Sequence, residues 1–246
     1  GQIIYASCRY YLAVLHKRLQ WTTNDAKVSI TQTTDFKMTG VLIMNKKEMD
    51  KFISHCDKHF NQSECTVLHA ADNQKPHIDV LLYKPNEAYP FWKLVTMGAS
   101  DFCMPNVPNA LGFRNEYMMF IDPSEDLTDR NVVGWYYSKL MGIAHYPIQT
   151  KSHISYGHSI EWGEEDESDM VAAFLEMPQM IADVSFLRCR LGLLKPVVIC
   201  LQAITLTRKE TEELLKLGPQ QFSEYLYPEE NEKVHYLCER FRSDRF

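Results

Sequence analysis

The chain has 246 residues, 45% of them hydrophobic and 24% charged, which is enough to bury a large core and excludes disorder over most of its length. Lys plus Arg number 26 against 32 Asp plus Glu, a formal net charge of −6. That balance excludes the broad basic face that phosphate contacts require, so no nucleic acid is expected; it suits a basic partner protein, or simply solubility.

The elements follow in chain order. Residues 3–20 carry a helical stripe of Tyr5, Cys8, Leu12, Leu15 and Leu19. A polar, Thr-rich stretch follows, with a short strand at 28–30, and then an apolar run, 40–44, that reads as a strand. Residues 46–60 give the clearest helix of the first half, with Met49, Phe52, Ile53, Cys56 and Phe60 on one face. Segments 65–70, 77–83 and 91–97 are β-branched and aromatic, and the turns between them are too short for helical crossovers, so they read as hairpin-paired strands. Residues 106–109 read as a loop and 116–121 as a further strand. The stripe Val132, Tyr136, Leu140, Ile143 and Ala144 predicts a helix over 128–146, closed by Pro147. Strands are predicted at 154–160, 170–175 and 197–204. Thr207 and Glu210 form a capping-box pair that starts the last helix, with Leu214, Leu215 and Leu217 as apolar contacts and Gly218 at its end. Pro219 opens one more short helix carrying Phe222 and Leu226, and residues 244–246 read as a loose end. The fold expectation is mixed α+β, a central, largely antiparallel or mixed sheet flanked by helices. It divides into an N-terminal extension, 1–45, a main domain, 46–230, and a charged tail, 231–246.

No apolar run reaches bilayer-spanning length and no secretory leader pattern is read at the start, so no membrane association is expected. Seven cysteines at wide spacings, without a CxxC pair, read as free thiols in a reducing, cytoplasmic setting.

The run HIDVLLYKPNEAYPFWKLVTMGASDFCMPNVP, residues 77–108, resembles the signature of suppressor-of-fused domain proteins. That family pattern has an HID-type strand start, a strand ending T-M-G-x-S-D, and then a strand with an acidic residue before apolar ones. Thr96, Gly98, Asp101 and Glu116 hold those places here. Trp135, Leu140, Ile143, Ala144 and Pro147 match the following helix, Gly157 and His158 the next strand, and Glu210 or Glu213 with Gly218 the closing helix. The similarity spans about 46–227; Tyr136 stands where the family usually has Pro, and 163–195 follow the pattern poorly. The resemblance implies a non-catalytic fold without cofactors. Animal members bind transcription factors, holding a peptide partly by strand addition, and many bacterial members look like immunity proteins that neutralise a partner toxin. The single-domain length resembles the bacterial kind.

Read without the resemblance, the residues carry little enzyme signature. GxGxxG, GxxxxGK[ST], GxSxG, HExxH and EF-hand loops are all missing from the sequence. His55 and His59 have helical i, i+4 spacing that two zinc ligands use, with Cys56 or Cys65 as further donors, but a boundary pair without metal is the expectation. His77 and Asp79 alternate on one strand face, either as a base with its orienting carboxylate or as a structural pair. His158 joins them as a candidate pocket residue if its strand neighbours theirs, which would permit a hydrolase-type enzyme. Residues 96–101 form a strand end and tight turn, or an anion-binding nest. The strongest composition shift is the segment of Glu161, Trp162, Glu164, Glu165, Asp166, Glu167 and Asp169, expected as an exposed loop. Its charge can steer a basic toxin or peptide, and Trp162 is either a partner anchor or tucked onto the fold. The expected function is a stoichiometric protein-binding module, an immunity protein first and a peptide-capturing regulator second.

Overall fold

A computed structural model of the chain describes residues 42–70, 76–105, 111–164, 167–226 and 236–245. All of them belong to the unit Thr39–Phe246. The helix predicted over 3–20, the strand at 28–30 and the loop at 106–109 lie outside the described residues.

Helix α1 (Lys46–Phe60) opens on a capping box: the Asn45 side chain accepts from Glu48 N, and Glu48 Oε2 accepts from Asn45 N. Three strands follow as expected, β1 (Thr66–Leu68), β2 (Asp79–Tyr83) and β3 (Trp92–Met97), and β4 (Asn115–Ile121) completes an antiparallel meander. Helix α2 spans Arg130–Thr150. After it come β5 (Ser159–Glu161), β6 (Met170–Glu176), the two-residue β7 (Arg188–Cys189), β8 (Val198–Thr207) and helix α3 (Arg208–Tyr225).

The sheet order is β1-β2-β3-β4-β8-β6-β5, with β7 also on β8. β4 and β8 pair in parallel and the other paired strands among the described residues run antiparallel, so the sheet is mixed. Every residue of β4, β6 and β8 is buried, which requires both sheet faces to be covered. Phe52, Cys56 and Phe60 of α1 meet Leu81, Tyr83, Val95, Phe120 and Cys200 in one core cluster. Leu214, Phe222 and Leu226 meet Phe174, Ile204 and Leu206 in a second. By strand alternation Cys200, Ile204 and Leu206 share one face of β8, so α1 and α3 lie on the same side of the sheet. Helix α2 packs on β3 and β4.

Several expectations are corrected. Residues 42–44 form no strand, because their amides turn to another element: Leu42 N donates to Asp101 O and Met44 N to Asp101 Oδ1. Pro147 does not close α2. Its carbonyl accepts from Lys151 and Ser152, and the helix runs to Thr150. The strand predicted over 154–160 shrinks to Ser159–Glu161, since a turn intervenes at residues 155–158 with Gly157 at φ +86°. Leu215 faces solvent, while Leu214 is the buried contact of α3. Gly218, at φ +78°, breaks α3 where Pro219 restarts it, as expected.

Residues 236–245 are tied down rather than loose; Phe246 lies outside the described residues. Cys238 bridges to Ile121, and Arg240 pairs with Glu125. The buried Glu210 accepts two hydrogen bonds from Arg242, at 2.5 and 2.6 Å, and one from Arg245 N. Asp244 accepts from Thr207 Oγ1 at 2.6 Å.

Candidate functional site

The polar residues of the motif Thr96–Asp101 point inward. Gly98, at φ +119°, turns the chain out of β3 into a short 3-10 turn, Ala99–Asp101. This exposes three successive amides to one acceptor, the carboxylate of Glu116 on the neighbouring strand. Gly98 N and Ser100 N donate to its Oε1 at 3.0 Å each, Ala99 N to Oε2 at 3.2 Å, and Thr96 Oγ1 to Oε2 at 2.6 Å. The anion-binding nest is real, but its anion is the chain's own Glu116. Burial pushes the Glu116 carboxyl up, to about 7, against the pull of these donors. The fully buried Arg114 fixes the same turn from below, donating to Ser100 O at 2.7 Å and Pro196 O at 3.2 Å. Asp101 holds residues 42–44, and burial raises it to about 6. Trp135 is buried on α2.

His55 and His59 both bond to groups within the chain. Each grips the segment around the 3-10 turn Val184–Leu187. His55 Nε2 lies 3.0 Å from Phe186 O, and its ring stacks on Phe186. His59 Nε2 lies 2.9 Å from Ser185 Oγ and 3.2 Å from Asp183 Oδ2, and its Nδ1 meets His55 O. Ser185 and Asp183 therefore share one ring nitrogen, whereas a catalytic triad places serine and carboxylate on opposite nitrogens. Cys56 is buried in the core.

His77 and Asp79 do meet, with His77 Nε2 3.0 Å from Asp79 Oδ1. His158 does not join them. It precedes β5 at the far edge of the sheet, with β3, β4, β8 and β6 between. There its Nδ1 meets the backbone of Ser155, and its ring lies against His153. The proposed three-residue pocket is not formed. The residue that sequence reasoning missed is His69, whose Nδ1 stands 3.3 Å from Asp79 Oδ2. The β1–β2 register, Leu68 opposite Val80, places His69 beside Asp79, a signal legible only once the hairpin register is known.

The acidic connection leaves edge strand β5. Glu161, Glu164, Glu167 and Asp169 are exposed; Glu165 and Asp166 lie outside the described residues. Arg208 pairs with Glu161 and, at 3.7 Å, with Glu164. Trp162 is half-buried, donates from Nε1 to Met170 O at 2.9 Å, and packs edge-on against Trp135 with Lys139 over both rings. Its indole is thus tucked onto α2.

The family model for suppressor of fused protein (SUFU) matches residues 74–237, about two thirds of the chain. The chain belongs to the suppressor of fused family. Solved structures show the same fold. A chain of the Sufu–Fu complex is similar with a TM-score of 0.57 at 15% identity, over 81% of this chain and 92% of that one. A SUFU homologue from Neisseria gonorrhoeae FA 1090 gives 0.55 at 14%, over 82% and 98%. Drosophila Suppressor of Fused gives 0.59 at 14%, over 81% of this chain but 51% of the fly protein. No curated protein matches the chain. In this SUFU domain Thr96, the amides of residues 98–100 and Glu116 form an internal lock. Among the described residues, no helix is long and apolar enough to cross a membrane.

Proposed function

We propose that the chain is a non-catalytic protein-binding module that holds a basic partner along edge strand β5 and the acidic connection after it. The partner we favour is a toxin, neutralised by stoichiometric occlusion in the cytoplasm. One observation carries the reading: Thr96, Glu116 and the amides of residues 98–100 bond one another internally, while Glu161, Glu164, Glu167 and Asp169 face outward beside a sheet edge. The net charge of −6 supports a basic partner, because complementary charge raises association rates. The six described cysteines, all free thiols, support a reducing compartment.

The test is association kinetics with the captured partner. Glu164→Lys with Glu167→Lys should slow association and flatten its salt dependence; unchanged rates would move the interface elsewhere. A second reading, capture of an extended peptide by strand addition, draws on β1 and β5 as sheet edges and on the Sufu–Fu complex of a structural relative. Binding that tolerates high salt but is lost when proline enters the peptide would favour it.

A further inference from the structure

At the opposite edge of the sheet, the end of the β1–β2 hairpin gathers three donors that the protein-binding reading leaves unused. Asp79 opens β2 with its side chain largely buried, and Ala70 N donates to its Oδ1 at 3.1 Å, which fixes the carboxylate. His77 Nε2 approaches Oδ1 at 3.0 Å and His69 Nδ1 approaches Oδ2 at 3.3 Å, one imidazole on each oxygen. The three ligand atoms lie within 4.8 Å of one another.

We infer that His69, His77 and Asp79 form a site for a divalent transition-metal ion of the zinc type. Zinc takes imidazole nitrogen and carboxylate oxygen at about 2.0–2.1 Å in a tetrahedron, so neighbouring donors stand about 3.3 Å apart. His77 Nε2 is near that separation from Oδ1, at 3.0 Å, while His69 Nδ1 has it to Oδ2, at 3.3 Å, so His69 must swing toward Oδ1 for one oxygen to serve both nitrogens. The remaining adjustment is the approach of the two imidazoles. His69 can make it, since its side chain is 73% exposed and its rotamer is not held by the core. The donor set of two nitrogens and one oxygen suits zinc better than calcium or magnesium, which take oxygen ligands. Three protein ligands leave a fourth position open to water, the arrangement of zinc sites that exchange ligands. An ordinary carboxylate tie needs one imidazole. Two exposed imidazoles beside a carboxylate fixed by a backbone amide bring three donors to one place.

The test is a calorimetric titration of the full, tag-free chain with Zn²⁺, and a Co²⁺ titration followed by visible absorption. The expected result is one equivalent bound with a tetrahedral cobalt spectrum. Loss of a supporting group around a metal typically costs about 10–100-fold in affinity, so His69→Ala and His77→Ala should each cost at least about tenfold. Both side chains are partly or largely exposed, so the variants should keep the metal-free melting temperature. Cys65→Ser, which removes a half-buried thiol just before β1, should leave binding unchanged. Absence of saturable binding, binding undiminished in the double histidine variant, or binding lost in Cys65→Ser would each overturn the assignment.

Discussion

Replacing Glu116 with Ala removes the acceptor of the motif's amides. Gly98 N, Ala99 N, Ser100 N and Thr96 Oγ1 would all lose their partner in a site where Glu116, Thr96 and Ser100 have no exposed surface. A buried donor left unpaired costs about 1–3 kcal/mol. Three amides at the low end of that range, with some relief from the hydroxyl rotating and from water entering, give a loss of about 3–5 kcal/mol. For a domain of this size each kcal/mol lowers Tm by roughly 2–4 °C, so the melt should fall by about 6–20 °C. Urea unfolding followed by tryptophan fluorescence should show a lower midpoint with an unchanged slope. Thr96→Val, which removes one donor to Glu116 and the acceptor for Tyr117 N, should be damaging but milder. A loss below about 1 kcal/mol for Glu116→Ala would refute the claim that this carboxylate organises the turn.

Three further outcomes follow from the same packing. Glu176 is buried between Ser223 and Met177 N, and burial pushes its carboxyl up to about 7. The folded chain then keeps a proton the unfolded chain releases near 4.5, so stability should fall as pH rises from about 4.5 to 7, by roughly 1.4 kcal/mol per unit at most. Glu176→Gln, which keeps the neutral shape, should flatten that slope in urea titrations across pH; Asp101 and Glu116, also raised, leave a remainder of the same sign. Arg242→Ala would strand the buried Glu210 carboxylate and should cost roughly 3–5 kcal/mol, read from the urea midpoint. Gly98→Ala would place a Cβ 2.6 Å from His77 O at φ +119°, and thermal melting should show a loss of about 1–3 kcal/mol or more.

Much of the fold was legible because local signals agreed. The 46–60 stripe has a strict helical period, and the Thr207–Glu210 capping box bonds as its spacing implies. The hairpin strands were legible because short gaps forbid crossovers. What stayed hidden depends on long-range register. The parallel pairing of β4 with β8 joins residues more than 80 apart, and no local pattern encodes it. Glu116 meets the 98–100 amides only because Val95 pairs with Met118, which brings β3's end beside β4. His158 was separated from His77 by the same kind of long-range order, four intervening strands that periodicity does not reveal. Trp162 read equally as anchor or core from composition; its fate was set by Trp135, on a different element.

The central claim, an outward acidic edge on an internally locked domain, is tested most directly by affinity capture from the source organism's lysate. The bait is the tagged chain beside its Glu164→Lys, Glu167→Lys variant, each at low and high salt. The account predicts one stoichiometric basic protein, retained by the wild-type chain at low salt, released at high salt and not retained by the variant. No stoichiometric partner, or a partner held equally by both baits, would contradict it.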